Sequence, residues 1–258
     1  MLLAVDVGNT NIVGGLFDGA TLVDTFRIAT ERHRTVDEYA VVFSQVLALR
    51  GIGSDRVHAC IIASVVPQVT DLIESAIATV AKVAPLIVGG PGLKTGMSIR
   101  YDNPRDVGAD RIVNAVAAFD RVHDAVIVVD FGTATTFDCI SKQGEYLGGV
   151  IVPGVQVSLD GLLNRAAKLN RVDLTEPPRV IGRNTTHAMQ SGIIFGYASL
   201  VDGLLDKIET EMNVPCRTLA TGGLASRICA HTKKVEEICP DLTLEGLRLI
   251  FDRNRQER

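Results

Sequence analysis

The sequence predicts an α/β protein made of two similar halves, each with a mixed five-stranded sheet flanked by helices. One observation is a repeated device, in which a buried strand ends at an aspartate and passes into a glycine-containing turn. It occurs at Leu2–Asn11 and again at Val126–Thr136. The other observation is that a similar succession of strands and helices follows each copy, which favours two related domains over one continuous sheet.

The first half alternates between the strand period and the helix period. Asp18-Gly19 is a typical hairpin turn, Thr35 is a candidate helix cap, and Pro67 suits the first turn of a helix. The predicted elements are strands at Leu2–Val5, Ile12–Phe17 and Thr21–Arg27, a helix at Val36–Arg50, a strand at Ala59–Ser64, a helix from Pro67 to about Val83, and a strand at Leu86–Val88.

The second half repeats this order. The predicted elements are strands at Ala125–Val129, Thr136–Ser141 and Gly144–Val152, helices at Ser158–Lys168 and Thr186–Met212, a strand at Cys216–Ala220, and a helix opened by Gly222-Gly223. Three antiparallel strands followed by helix, strand and helix is the order of a ribonuclease-H-like unit. A boundary inside the helix Arg111–Arg121 gives domains 1–115 and 116–258.

Composition excludes several function classes. The 258 residues carry a net charge of −4, which provides no basic surface for nucleic acid or for a membrane. No apolar stretch is predicted to span a bilayer, and no basic segment precedes the first strand as in a signal peptide. Five scattered cysteines without a Cys-x-x-Cys pair fit a reducing cytoplasm, and the histidines lack metal-ligand spacing.

The first turn, Asp6-Val7-Gly8-Asn9-Thr10, has the chemistry of a phosphate site. Gly8 allows a tight turn, so that successive N–H groups can face phosphate oxygens, and Asn9 and Thr10 add side-chain donors. Asp6 could hold Mg²⁺ directly or through water. A plain strand–turn–strand hairpin with a capping aspartate explains the same residues, but the second copy makes this alternative weaker.

The second turn supplies a carboxylate, Asp130, and three hydroxyls, Thr133, Thr135 and Thr136. Opposite the first turn, it would hold the other side of a polyphosphate; the alternative is a threonine-rich edge strand. Gly222-Gly223 follows a predicted strand and would let a phosphate or a flat ring approach a helix N-terminus, although such pairs also form ordinary turns.

The segment Gly108-Ala109-Asp110-Arg111 begins an apolar helix that continues through Ile112–Phe119. An aspartate in the first turn is favoured by the helix dipole and is expected to be ionised at neutral pH, with a pKa near ~4. Beside a fixed guanidinium, such a carboxylate can accept a hydroxyl proton while the arginine binds a substrate carboxylate. A helix-capping aspartate is the alternative.

Taken together, these motifs resemble those of the type III pantothenate kinase family. They occur in family order between residues 6 and 223: Asp6-Val7-Gly8-Asn9-Thr10, Asn103-Pro104, Gly108-Ala109-Asp110-Arg111, Asp130-Phe131-Gly132-Thr133-Ala134-Thr135, Gly148-Gly149, Ile151-Val152-Pro153-Gly154 and Thr221-Gly222-Gly223. The resemblance implies an actin-like ATPase fold of two ribonuclease-H-like domains. It also implies a homodimer, ATP as phosphoryl donor with Mg²⁺, pantothenate as acceptor, and a monovalent cation such as K⁺ or NH₄⁺.

The resemblance also implies roles for individual residues. ATP contacts would be Asp6, Val7, Gly8, Asn9, Thr10, Asn11, Ile12, Val13 and Thr133. Pantothenate contacts would be Tyr101, Gly108, Ala109, Asp110, Arg111 and Thr185. Asp110 would be the proton acceptor, and Asp130 would bind the monovalent cation. Arg111 is expected to pair with the pantothenate carboxylate, with Arg105 as a second candidate, and the choice of Thr185 over Thr186 rests on the family alone.

Two other functions are compatible with the motifs. A sugar kinase of the same superfamily would also use an aspartate base, but commonly carries a Cys/His zinc cluster or a sugar-binding loop, neither of which is evident. A nucleotide-sensing accessory factor without turnover is the other alternative. The near-neutral charge and the lack of a helix-turn-helix pattern disfavour direct DNA binding, and the Asp110 segment favours an enzyme.

Overall fold

The computed structural model describes residues 1–166 and 169–255 of the chain. These residues form two compact units. The first unit combines Met1–Ala117 with the C-terminal helix Leu242–Arg255, and the second unit is Ala118–Asp241.

The first unit contains a sheet, its flanking helices and two short 3₁₀ turns, Ser54–Arg56 and Pro104–Asp106. The strands of this sheet are β1 (Leu2–Val7), β2 (Asn11–Asp18), β3 (Thr21–Ala29), β4 (Ala59–Ser64) and β5 (Leu86–Ile87); the short strand β6 (Ser98–Ile99) is not part of it. Its helices are α1 (Val36–Leu49), α2 (Pro67–Ala81), α3 (Ala109–Val122), whose last turn lies in the second unit, and the C-terminal helix, α7 (Leu242–Arg255).

The second unit has the same kind of architecture. Its strands are β7 (Val126–Phe131), β8 (Ala134–Ile140), β9 (Glu145–Pro153), β10 (Arg217–Thr221) and β11 (Glu237–Ile238). Its helices are α4 (Val155–Arg165), α5 (Thr185–Met212) and α6 (Ala225–Cys229). The helix predicted at Ser158–Lys168 begins earlier, at Val155, and its predicted end, Lys168, lies outside the described residues.

The two sheets repeat one topology. The first runs in the order β3-β2-β1-β4-β5, and the strands that the second unit contributes run β9-β8-β7-β10-β11. In each sheet three strands are antiparallel to their neighbours. The remaining two strands lie parallel to β1 in the first sheet and parallel to β7 in the second. The predicted fold class, α/β with two mixed sheets flanked by helices, is therefore confirmed.

Local sequence explains where the first helices begin. The Thr35 side chain accepts a hydrogen bond from the Glu38 N–H, and Glu38 accepts one from the Thr35 N–H, so α1 starts with a capping box. Pro67 occupies the first turn of α2, where its missing N–H costs no hydrogen bond. The helix starts predicted at Val36 and Pro67 are confirmed.

The C-terminal helix differs from the predicted division at 115/116, which assigned everything after residue 115 to one domain. Strand β1 alternates its side chains between two faces, so that Leu3 and Val5 join one core while Leu2 and Ala4 face the other way. That other face is covered by α7, which buries Leu244, Leu247 and Ile250 against it. Burial of this apolar stripe is the physical reason why α7 belongs to the first unit.

Helix α5 is the central helix of the second core. By length and composition alone it is long and apolar enough to cross a membrane, but its apolar side chains form the core of the second unit. Its buried side chains pack on the sheet of the second unit; they include Met189, Ile194, Tyr197, Val201, Leu205 and Ile208. The helix ends at Asn213, whose left-handed conformation (φ 51°) caps it.

Candidate active site

The first turn connects β1 to β2 at the end where β1 and β4 stop in parallel. Asp6 is the penultimate residue of β1 and pairs with Val13 of β2 and Ala63 of β4. The Gly8 N–H closes the turn by donating to the Asn11 carbonyl (3.0 Å). Val7 and Ile12 have buried side chains, so these predicted ATP contacts can offer only backbone groups, whereas Asn9 and Thr10 are exposed.

A segment beyond β3 fastens this turn. The Thr30 hydroxyl donates to the Gly8 carbonyl (2.7 Å), and the Thr30 N–H donates to the Thr10 carbonyl (3.0 Å). The Arg32 guanidinium donates to Asn9 Oδ1 (3.2 Å). Thr30 could not be predicted from the sequence, because no local pattern indicates that a residue just after β3 returns to the β1–β2 turn.

The second turn has the same construction in the second unit. Asp130 is the penultimate residue of β7 and pairs with Thr136 of β8 and Thr221 of β10. The Gly132 N–H closes the turn by donating to the Ala134 carbonyl (3.0 Å). Thr133 is exposed at the tip of the turn, where its hydroxyl can reach a ligand.

Two glycines approach this second turn closely. The Gly154 N–H, at the N-cap of α4, donates to the Thr133 carbonyl (3.1 Å), and a Cβ at residue 154 would overlap that carbonyl. Gly222 has φ +94°, and a Cβ there would lie 2.6 Å from Asp130 Oδ1. A side chain at either position would therefore displace backbone or the carboxylate, which explains why both residues are glycine.

The predicted substrate segment forms the start of α3 in the first unit. The Asn103 side chain caps a 3₁₀ turn by accepting from the Arg105 N–H (3.3 Å) and donating to Asp106 Oδ1 (2.8 Å). Gly108 follows, and a Cβ there would lie only 2.5 Å from Asp110 Oδ1. Gly108 thus leaves room for the Asp110 carboxylate, which accepts the Arg111 N–H (2.8 Å).

Burial changes the acidity of Asp110. Desolvation raises the pKa of this carboxyl, while the N–H and the guanidinium of Arg111 lower it. The net shift is upward, so the expectation of an ordinary aspartate pKa is corrected. A raised pKa makes the ionised carboxylate a stronger proton acceptor.

Residues of the first turn and of the Asp110 segment are linked through Val65, which follows β4. The Val65 N–H donates to the Val7 carbonyl (3.1 Å), and its Cγ1 would be 3.4 Å from a Cβ at Gly108. The first unit therefore brings the predicted phosphate turn and the predicted base to one end of its sheet. Tyr101 and Ala109 are half-buried and Arg111 is buried, whereas Arg105 is exposed.

Thr185 lies apart from these groups in sequence, at the first turn of α5 in the second unit. Asn184 caps the helix by accepting the His187 N–H (2.8 Å). Arg183, Asn184 and Thr185 line a cavity of about 640 Å³ together with apolar side chains of α4 and α5. Thr185 and Thr186 are both exposed, but only Thr185 is among the residues lining this cavity.

The described residues contain no cluster of three or more His, Cys, Asp or Glu side chains that could hold a metal ion. A divalent ion at this site would therefore depend on at most two protein carboxylates and on ligand oxygens. Mg²⁺ is commonly bound in this way, by one or two carboxylates and substrate phosphates.

The repeated sheet and its two Asp-Gly turns define an actin-like fold of the kind found in sugar kinases and ATPases. Solved structures agree in fold. A Campylobacter jejuni protein described as a conserved Baf family transcriptional activator has a TM-score of 0.62 at 17% identity, covering 98% of this chain and 99% of that one. The ROK hexokinase of Thermus thermophilus has a TM-score of 0.53 at 12% identity, covering 100% and 99%.

Sequence relatives identify the family. The family model for type III pantothenate kinase matches residues 2–207. Type III pantothenate kinases of Myxococcus xanthus and Geobacter sulfurreducens are each 50% identical to this chain; the first match covers 98% of this chain and 99% of the relative, the second 99% and 100%. The chain belongs to the type III pantothenate kinase family, and it is a kinase.

Proposed function

We propose that this protein phosphorylates pantothenate to 4′-phosphopantothenate with ATP, the first step of coenzyme A biosynthesis, and that it does so in the cytoplasm with Asp110 as the proton acceptor. The observation that carries the residue assignment is the Asp110 carboxylate. It is half-buried at the start of α3 and accepts the Arg111 N–H at 2.8 Å. Family membership supports the substrate and the phosphoryl donor.

Asp110 needs to act only modestly as a base. Phosphoryl transfer passes through a loose transition state, so positioning and charge neutralisation contribute more than nucleophile activation. Asp110 orients the pantothenate hydroxyl and accepts its proton late, while burial raises the pKa of the carboxyl and increases its basicity. Fixing of this carboxylate by Arg111 reduces the entropy lost on reaching the reactive geometry.

The first turn binds the ATP phosphates. Exposed backbone and side-chain donors at Asn9 and Thr10 can contact phosphate oxygens, and the Thr30 contacts hold the turn in place. Asp6 is the carboxylate that would hold Mg²⁺ beside those phosphates. When bound, the ion neutralises developing charge on the phosphoryl oxygens.

The second turn binds a monovalent cation and the nucleotide. Gly132 and Gly222 leave space around Asp130 Oδ1, because their missing Cβ atoms would lie 3.7 and 2.6 Å from that oxygen. A weakly hydrated cation such as K⁺ or NH₄⁺ fits a carboxylate surrounded by backbone in this way. Thr133, exposed at the tip, contacts ATP.

Pantothenate is held by groups that differ in chemistry. Arg111 is placed to pair with its carboxylate, Gly108 and Ala109 present backbone, and Tyr101 is half-buried near the start of this segment. Thr185 is a further proposed contact, and the lining of the Arg183–Thr185 cavity favours it over Thr186. An arginine is suited to a carboxylate because its planar guanidinium can donate two parallel hydrogen bonds.

The protein acts as a homodimer in this proposal. Exposed apolar side chains occur on α4 and on the segment before α5, namely Val157, Leu162, Val180 and Ile181. Ile181 is 80% exposed, although it adjoins the Arg183–Thr185 cavity. Apolar surface of this kind is typical of a site covered by another protein surface, and a second copy would supply it.

The decisive experiment measures ADP release with pantothenate and with a panel of sugars. Wild-type protein is expected to turn over pantothenate alone, and Asp110→Asn should lower kcat by about a hundredfold to ten-thousandfold while ATP binding is retained. Turnover of a sugar would favour a sugar kinase, and no turnover of any substrate would favour an accessory factor. Wild-type activity in Asp110→Asn would remove Asp110 from the base role.

The pH dependence of stability provides a second check on Asp110. Because its folded pKa is raised, the folded state binds the proton more tightly than the unfolded chain, and stability falls as pH rises through the folded pKa. Asp110→Asn should therefore raise the melting temperature at neutral pH, and the gain should disappear in acid. Turnover of wild type should fall as pH drops through the same pKa. An equal melting temperature for both proteins at neutral pH would contradict this burial argument.

A further inference from the structure

Two hydroxyl groups near the second turn form a part-buried hydrogen-bonded pair that the proposed chemistry does not use. Ser158 Oγ of α4 lies 2.5 Å from Tyr197 Oη of α5, and Tyr197 Oη also lies 2.9 Å from the Pro153 carbonyl. Tyr197 is only 9% exposed. Leaving either hydroxyl without a partner in this environment would be unfavourable.

The number of protons fixes the direction of these hydrogen bonds. A carbonyl can only accept, so the single O–H of Tyr197 donates to Pro153. Ser158 must then donate its proton to Tyr197 Oη. The two hydrogen bonds therefore link Ser158 of α4, through Tyr197 of α5, to the Pro153 carbonyl at the end of β9.

The residue after Pro153 connects these hydrogen bonds to the second turn. Gly154, which follows Pro153, donates its N–H to the Thr133 carbonyl at 3.1 Å. A Cβ at Gly154 would also lie 2.6 Å from the Gly132 carbonyl. Since there is no space between Gly154 and the turn, a shift at Pro153–Gly154 must move Gly132 and Thr133.

We propose that Tyr197 and Ser158 are positioning residues for the ATP contact at Thr133. They hold the end of β9, which in turn holds the turn in the conformation that binds ATP. The inference rests on the proposed function in taking Thr133 as an ATP contact. Tyr197 and Ser158 themselves touch no substrate in this account.

The test compares the ATP Kd and both KM values in wild type, Tyr197→Phe and Ser158→Ala. Tyr197→Phe removes one oxygen atom, and we expect it to weaken ATP binding about threefold to tenfold. KM for ATP should rise in parallel, and KM for pantothenate should not. Ser158→Ala should have a smaller effect, because Tyr197 still donates to Pro153, and the double variant should match Tyr197→Phe alone.

Val201→Ala is the matched control for general loosening. Val201 is fully buried on α5, one turn beyond Tyr197, and has no part in the hydroxyl chain. The Val201→Ala substitution should lower the melting temperature at least as much as Tyr197→Phe while leaving the ATP Kd unchanged. An unchanged Kd in Tyr197→Phe, or an equal rise in Val201→Ala, overturns the inference. Absence of pantothenate turnover in wild type would instead refute the proposed function, since the ATP Kd is measured without pantothenate.

Discussion

The two Asp-Gly turns share a strand end and a closing N–H bond, but they are fastened by different means. The first turn is held from outside by the side chain and N–H of Thr30. The second is held by Gly154 and Gly222, which contact it through backbone where a side chain could not fit. One topology therefore supports one adjustable turn and one tightly enclosed turn.

This difference fits the proposed division of labour. A turn that follows a flexible triphosphate and its Mg²⁺ can be fastened by a hydroxyl and tolerate small shifts. A carboxylate that selects one monovalent cation must be held at a fixed distance from backbone oxygens, so an enclosed turn is expected around Asp130. The two turns should then respond differently to substitution.

The largest effect is expected at Gly154. Its φ of −66° is accessible to alanine, so a substitution tests the close approach alone. In Gly154→Ala the methyl group overlaps the Thr133 carbonyl, and ATP affinity should fall about a hundredfold, from ~3 kcal/mol of overpacking. Calorimetric titration with ATP measures this loss. Gly161→Ala in α4 is the control, because nothing lies within 4 Å of its added Cβ; equal losses in both variants would contradict the enclosed turn.

A smaller effect is expected from substituting the two aspartates, Asp130 and Asp6, which should change the responses to different cations. Asp130→Asn should reduce the stimulation of turnover by K⁺ over Na⁺ at least about tenfold, the size of one lost charge-assisted contact. Asp6→Asn should weaken the response to Mg²⁺ but retain the preference for K⁺ at the activity that remains. Steady-state rates in K⁺-only and Na⁺-only buffers measure both. Equal rates of wild type in the two buffers would remove Asp130 from the cation role.

The smallest effect is expected at Thr30. Thr30→Val removes the hydroxyl that donates to the Gly8 carbonyl and keeps the N–H bond to Thr10, so ATP affinity should fall only about fivefold. Thr25→Val, at an exposed position of β3, serves as the control. A loss in Thr30→Val as large as that in Gly154→Ala would show that the first turn is not the more adjustable one.

Sequence periodicity predicted most of the fold because each strand and helix has an apolar pattern of its own. The strand Ala59–Ser64 and the start of α1 at Val36 are confirmed. Helix α7 was missed, although Leu244, Leu247 and Ile250 recur at helical spacing. The charged segment 251–255 beyond them continues the helix, and residues 256–258 lie outside the described residues.

The motifs predicted which residues belong to the candidate site, but not what holds those residues in place. Gly154 was part of a recognised motif, yet its contact with the Thr133 carbonyl depends on where α4 begins relative to β8. The raised pKa of Asp110 could not be predicted either, because burial is a property of the folded chain.

The position of α7 also has a consequence for synthesis. Strand β1 is translated before the second unit, but helix α7, which packs against Leu2 and Ala4, is translated after the whole second unit. The second unit can complete its core during translation, whereas the first must wait with one apolar sheet face only partly covered, by Val113 and Val116 of α3. A nascent chain stalled before residue 242 should therefore expose that face to chaperones, and release of the final helix should end the exposure.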